Sequence, residues 1–194
     1  MPLILLTDRL QAGRPLPEAV GAAAAGGLRL VVVREKDLPW EQRLGLADEL
    51  RDLLAPFGGR VLLAGPAPGP HGRHLAAADP WPEHRHGLLG RSCHSGQELA
   101  AAAAAGADYA TLSPIFLTGS KPGYGPALGP QALAGAGPLP VYALGGITTP
   151  VHARDCARAG AAGVAVMGAL MRAADPAALT TELIAAVTDV RGAS

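Results

Sequence analysis

Residues 141–168 read VYALGGITTPVHARDCARAGAAGVAVMG, and this stretch decides the fold. It holds an apolar run from Val141 to Leu144, a Gly-Gly turn, helical spacing over 150–159, a glycine at 160, and a second apolar run from Gly163 to Val166 that leads into Gly168. Two short, wholly apolar strands joined by a helix are the unit of a parallel sheet buried on both faces. Gly160 stands where a left-handed residue stops a helix before the next strand.

The alternation continues toward the N-terminus. Apolar runs at Leu3 to Leu6, Leu28 to Val33, Val61 to Ala64, Arg73 to Leu75, Gly90 to Cys93 and Tyr109 to Leu112 bring the expected strands to eight. Helices are expected at 15–25, 41–55, 96–105, 150–159 and 176–190, and Gly106 repeats the stop at Gly160. Between strands three and four the chain reads Gly65-Pro-Ala-Pro-Gly-Pro-His-Gly72, whose prolines forbid an ordinary crossover helix. The fold class that follows is α/β, a (β/α)8 TIM barrel forming a single domain over 1–194, with the helix between strands 3 and 4 missing. A doubly wound open sheet shares the local alternation, but eight strands in this length favour closure.

About half of the 194 residues are hydrophobic, with Ala and Gly abundant and aromatics few, which suits helices packed on a small-residue sheet. Lys and Arg number 16, as do Asp and Glu, so no global field attracts nucleic acid or an anionic membrane. Any anion must be held locally. No apolar run reaches the roughly 18 residues that cross a bilayer. Cys93 and Cys156 match no metal or redox spacing, and a cytoplasmic location is the simplest expectation.

Strand seven ends in Gly145-Gly146 and strand eight in Met167-Gly168. In a (β/α)8 barrel the loops after these two strands commonly form a phosphate site, because glycines let backbone N–H groups approach the oxygens. Gly145, Gly146, Met167 and Gly168 are therefore the expected phosphate binders, against the plainer reading of tight strand-to-helix turns.

Six motifs span nearly the whole chain: Leu6-Thr7-Asp8, Val32-Val-Arg34-Glu-Lys36, His74-Leu75 with Asp79, Gly90-Arg-Ser92-Cys-His94-Ser95, Ala107-Asp-Tyr109 running on to Ser113-Pro114-Ile-Phe116-Leu-Thr118-Gly-Ser120-Lys121, and Ala143-Leu-Gly-Gly-Ile147. In this order the chain resembles the thiamine phosphate synthase and TenI (thiazole tautomerase) family of thiamine biosynthesis. The synthase joins hydroxymethylpyrimidine pyrophosphate to hydroxyethylthiazole phosphate. Pyrophosphate leaves first, and the thiazole nitrogen attacks the pyrimidine cation.

The resemblance implies that Arg34, Lys36 and Lys121 neutralise phosphate charge, that Ser92, Thr118 and Ser120 hydrogen-bond the substrate, and that Asp79 is a carboxylate for Mg²⁺. Such cations strengthen their hold as charge gathers on the leaving group. The synthase pattern has Gln where this chain has Val32, and Asn-Asp where it has Ala64-Gly65, so the pyrimidine side is stripped. The tautomerase needs only the thiazole half and a general acid/base, but its histidine falls at Pro114. His94, at the end of strand five, is the candidate replacement, with a structural histidine as the plainer reading.

A tautomerase acting on a thiazole phosphate is the favoured expectation. The alternatives are a divergent synthase and a non-catalytic phosphate-binding barrel. The tautomerase requires no cofactor and the synthase requires Mg²⁺. The expected partner is a small thiazole phosphate, not nucleic acid or membrane, and a homo-oligomer is left open. Arg34 and Lys36 are expected on one strand face with Glu35 on the other. His74 is read as structural, Cys93 as a buried hydrophobe, and His71, His84 and His86 as surface residues.

Overall fold

The computed structural model describes residues 1–117, 126–135 and 137–192. Eight parallel strands close into a barrel in sequence order: β1 (Leu3–Leu6), β2 (Leu30–Val33), β3 (Arg60–Ala64), β4 (Gly72–Leu75), β5 (Leu89–Cys93), β6 (Tyr109–Leu112), β7 (Val141–Leu144) and β8 (Gly163–Val166). The ring is completed by β1 against β8, with Leu3 opposite Val164 and Leu5 opposite Val166. All eight expected strands are present, so the (β/α)8 reading holds and the open sheet is excluded.

Alternation along each strand divides the core in two. Ile4, Leu6, Leu30, Val32, Leu62, Tyr109, Tyr142 and Ala165 fill the barrel interior. Leu3, Leu5, Val31, Val33 and Leu63 point outward, in one cluster with Val20, Leu50, Leu54, Leu183 and Val187. The helices are α1 (Leu16–Ala25), α2 (Trp40–Leu54), α3 (Gly96–Ala104), α4 (Pro150–Arg158), α5 (Gly168–Met171) and α6 (Pro176–Gly192). Three of them start on side-chain caps: Ser95 Oγ accepts the N–H of Glu98 at 3.2 Å, Thr149 Oγ1 accepts that of His152 at 3.3 Å, and Asp175 Oδ1 accepts that of Ala178 at 2.9 Å. Among the described residues no helix is long and apolar enough to cross a membrane.

The helix between β3 and β4 is absent, as the prolines of 65–72 dictate, but it is not the only one missing. Residues 76–88 between β4 and β5 contain no helix, and among the described residues between β6 and β7 only a 3-10 turn at Pro130–Leu133 remains. Arginines cover the outer face where helices are lacking. Arg91 donates to the carbonyls of Ala77 and Asp79 and lies 4.6 Å over the Trp81 ring, while Arg73 donates to the carbonyl of Pro66. His71 is corrected by the same wall: it is buried, with Nε2 3.1 Å from Asp48 Oδ1 on α2, whereas His84 and His86 are exposed as expected.

Candidate phosphate site at the barrel mouth

The strands all run in one direction, so their C-terminal ends gather at one mouth. A cavity of about 220 Å³ opens there, lined among others by Asp8, Arg34, Pro114, Gly146, Gly168 and Arg172. Gly145 and Met167 line it too. Gly145 and Gly146 take φ of 98° and 67°, a left-handed pair that L side chains rarely adopt. They also pack closely on the segment after β6. A Cβ at 145 would stand 3.0 Å from Pro114 Cα, and one at 146 would stand 2.6 Å from Phe116 Cβ.

Arg34 follows β2 directly, and its backbone N–H donates to Thr7 Oγ1 at 3.0 Å, which ties the ends of β1 and β2 together. Its guanidinium lies 3.8 Å from Met167 Sδ, across the mouth. Arg172 comes from the far side, after α5. Its Nη1 donates to Gln11 Oε1, and Gln11 Nε2 donates to Asp8 Oδ2 at 2.6 Å. Among the described residues no carboxylate forms an ion pair with Arg34 or Arg172, so two guanidinium groups face one glycine-walled cavity with charge to spare. With Asp8 the one carboxylate among its described lining residues, the wall keeps an excess of positive charge and has the chemistry to suit an anion with several oxygens.

The loop carrying Asp8 and Gln11 is anchored from β2. Glu35 is buried, and its two oxygens accept the backbone N–H of Arg9 at 3.0 and 3.1 Å. The Arg9 side chain adds a bond to Glu35 at 3.1 Å and a forked pair to Asp37 at 2.8 and 2.6 Å. The guanidinium accordingly holds the Asp37 carboxyl below its usual range.

Other expected residues stand elsewhere. Lys36 does not share the cavity with Arg34: β2 ends at Val33, Lys36 is exposed in the turn that follows, and strand alternation does not extend that far. His94 does not line the cavity. Its Nδ1–H donates to the Ser113 carbonyl at 2.8 Å, and its backbone N–H donates to Glu98 at 2.7 Å in the cap of α3. Thr118, Ser120 and Lys121 lie outside the described residues. Cys93 is buried, which raises its thiol to about 11.

Ser92 closes a polar chain inside the barrel. Its Oγ is 2.9 Å from His74 Nε2, and His74 Nδ1 is 2.9 Å from the Tyr109 hydroxyl. Burial, with Arg91 nearby, pushes the His74 imidazole down to about 4.

Residues able to hold Mg²⁺ are sparse. Asp79 Oδ2 accepts the Ala76 N–H at 2.7 Å, β3 ends in Ala64-Gly65, and no three His, Cys, Asp or Glu side chains converge among the described residues. These residues do not build a protein-only cage for a hard cation.

Comparison with known proteins agrees with the barrel fold. A family model described as thiamine monophosphate synthase matches residues 3–170. The thiamine-phosphate synthase of Moorella thermoacetica is 34% identical, with 97% of this chain and 96% of that protein covered. That of Methanoculleus marisnigri is 37% identical, covering 93% and 92%. Among solved structures, a thiamine phosphate pyrophosphorylase from Pyrococcus furiosus superposes with a TM-score of 0.82 at 26% identity, covering 97% of this chain and 96% of that one. A 3-hexulose-6-phosphate synthase, 17% identical with a TM-score of 0.68, shares the fold.

Proposed function

The chain belongs to the thiamine monophosphate synthase family, and from that premise we propose that it is a thiamine-phosphate synthase. It joins hydroxymethylpyrimidine pyrophosphate to hydroxyethylthiazole phosphate and releases pyrophosphate. The favoured expectation from sequence was the tautomerase. The observation that moves the reading to the synthase is the make-up of the cavity wall, which among the described residues holds Arg34 and Arg172 but no imidazole, with Pro114 where the tautomerase pattern has its histidine. The relatives at 34–37% identity carry the synthase name.

In this reading the glycine turns at 145, 146 and 168 and the Arg172 guanidinium hold the thiazole phosphate. Arg34, with Lys121, receives the charge of the departing pyrophosphate. The C–O bond from the pyrimidine methylene to pyrophosphate breaks with its electron pair going to oxygen, and the thiazole nitrogen lone pair forms the new C–N bond. Cations already in place at the accumulating charge lower the barrier without reorganisation.

The test is pyrophosphate release with Mg²⁺ supplied. Release that requires both substrates and yields thiamine phosphate supports the proposal. No release at high enzyme concentration, beside an active control, overturns it.

One observation favours the tautomerase as a second reading. Val32 is fully buried and apolar, and β3 ends in Ala64, so the side of the mouth that would bind the pyrimidine offers no side-chain hydrogen bond there. Accelerated aromatisation of the carboxythiazole phosphate, without pyrophosphate release from the synthase substrates, would favour that reading instead.

A further inference from the structure

The polar chain inside the barrel joins side chains on three neighbouring strands. Tyr109 on β6 reaches beneath β5, where Gly90 leaves room for its ring, and a Cβ at position 90 would overlap that ring. Tyr142 meets it edge-on at 5.6 Å, and the His74 ring stacks on it at 5.5 Å. These contacts hold the phenol and the imidazole in one arrangement, with the hydroxyl 2.9 Å from Nδ1.

The direction of the chain follows from the inventory of donors and acceptors. A neutral imidazole has one N–H and one lone pair, and a serine hydroxyl can serve either nitrogen. The Tyr109 hydroxyl is buried, and among the described residues its hydrogen-bond partner is His74 Nδ1. If Nδ1 carried the proton, the phenol would accept and its own O–H would be left unpaired in the interior, where unmade bonds are costly. The phenol must therefore donate. Nδ1 then accepts, Nε2 carries the hydrogen, and Ser92 Oγ accepts it. The serine proton is left over, on a half-buried residue that faces the barrel interior one position before the C-terminal end of β5, outside the lining of the cavity described above but at the same end of the barrel.

We infer that Tyr109 and His74 are positioning residues that hold Ser92 as a hydrogen-bond donor to the ligand, so that β5 offers the mouth an O–H and selects an acceptor atom. The acceptor is an ionised phosphate oxygen or an unprotonated ring nitrogen. The inference rests on the proposed reading only in taking the mouth as the ligand site. Neither positioning residue touches the ligand.

Two measurements on the full chain test it. In ¹⁵N spectra of the ligand-free protein at neutral pH, His74 should show a protonated Nε2 and a bare Nδ1. The Nδ1–H tautomer, or a doubly protonated ring, overturns the inference whatever the enzyme does. Kinetics then read the coupling. Ser92→Ala should lower kcat/KM by about tenfold, the worth of one hydrogen bond. Tyr109→Phe should lower it by less, and should cost nothing further in the Ser92→Ala background. Equal losses from Tyr109→Phe in both backgrounds would mean a merely structural tyrosine and would overturn the positioning role. If Tyr109→Phe does not fold, the His74 spectrum decides alone. A wild-type protein without synthase turnover would remove the proposed function, while the tautomer would still decide the relay.

Discussion

Arg172 lays its guanidinium against Gly168, in the space that any side chain at 168 would occupy. The arginine is held there through Gln11 by Asp8, so the glycine and the cation form one surface assembled from both ends of the chain.

Removing either half of that surface should weaken phosphate binding. Arg172→Ala is expected to raise KM for the thiazole phosphate roughly 10- to 100-fold, the range for a hydrogen bond to a charged group. Arg172→Lys should fall between, since it keeps the charge and loses the fork. Gly168→Ala should reproduce much of the effect by displacing a guanidinium that is still present. Steady-state kinetics with circular dichroism on each variant checks this, and an unchanged KM in Arg172→Ala would place the phosphate elsewhere.

Glu35 should be more important to the loop than to the chemistry. Glu35→Ala strands the Arg9 N–H that both carboxylate oxygens now accept, at a cost of about 2 kcal/mol. Glu35→Gln keeps one acceptor oxygen and should lose less. Urea midpoints measure the ranking, and KM should rise with the instability because Asp8 and Gln11 ride on the same loop.

Gly90→Ala should be among the most disruptive single-methyl changes in the barrel. The added Cβ meets the Tyr109 ring, which is locked between His74 and Tyr142, so overpacking of roughly 1–3 kcal/mol or more is expected. Combining it with Tyr109→Ala should restore part of the loss. Chemical denaturation of the single and double variants decides the point.

Acid should act on the barrel through His74. Its imidazole is displaced from the ordinary 6.5 down to about 4 in the folded state, so between these values the unfolded chain binds the proton that the folded one refuses. Stability from this group is therefore complete above about 6.5 and declines as pH falls toward 4, by up to roughly 3 kcal/mol. Urea midpoints should fall between about pH 6.5 and 4 in the wild type and fall less steeply in His74→Gln, which lacks this titration. Parallel profiles over that window would contradict it.

The barrel was legible in the sequence because strands buried on both faces read as short apolar runs, and because Gly106 and Gly160, at φ of 80° and 105°, mark where helices stop. The glycine half of the site was legible for the same reason: Gly145, Gly146 and Gly168 are local features. Arg172 and Gln11 were not, since the bond between them spans 161 positions and no local pattern reports it. Lys36 misled because period-two alternation was carried past Val33, where β2 already ends. His71 misled because a Pro-rich neighbourhood looks solvated, whereas here that segment packs on α2.

The helix-poor side of the barrel also bears on how the molecule assembles. Parallel strands usually need a dozen or more residues between them, yet β3 reaches β4 across only 65–71. The entropy lost in closing a chain segment rises with its length, and non-local pairings slow folding. Pairing of β3 with β4 is thus the least demanding closure in the ring, while β1 with β8, which brings Leu3 to Val164, is the most demanding. The seam beside Met167 and Gly168 therefore joins the parts of the barrel that lie farthest apart along the chain, and the cavity at the mouth is complete only once the whole ring has closed.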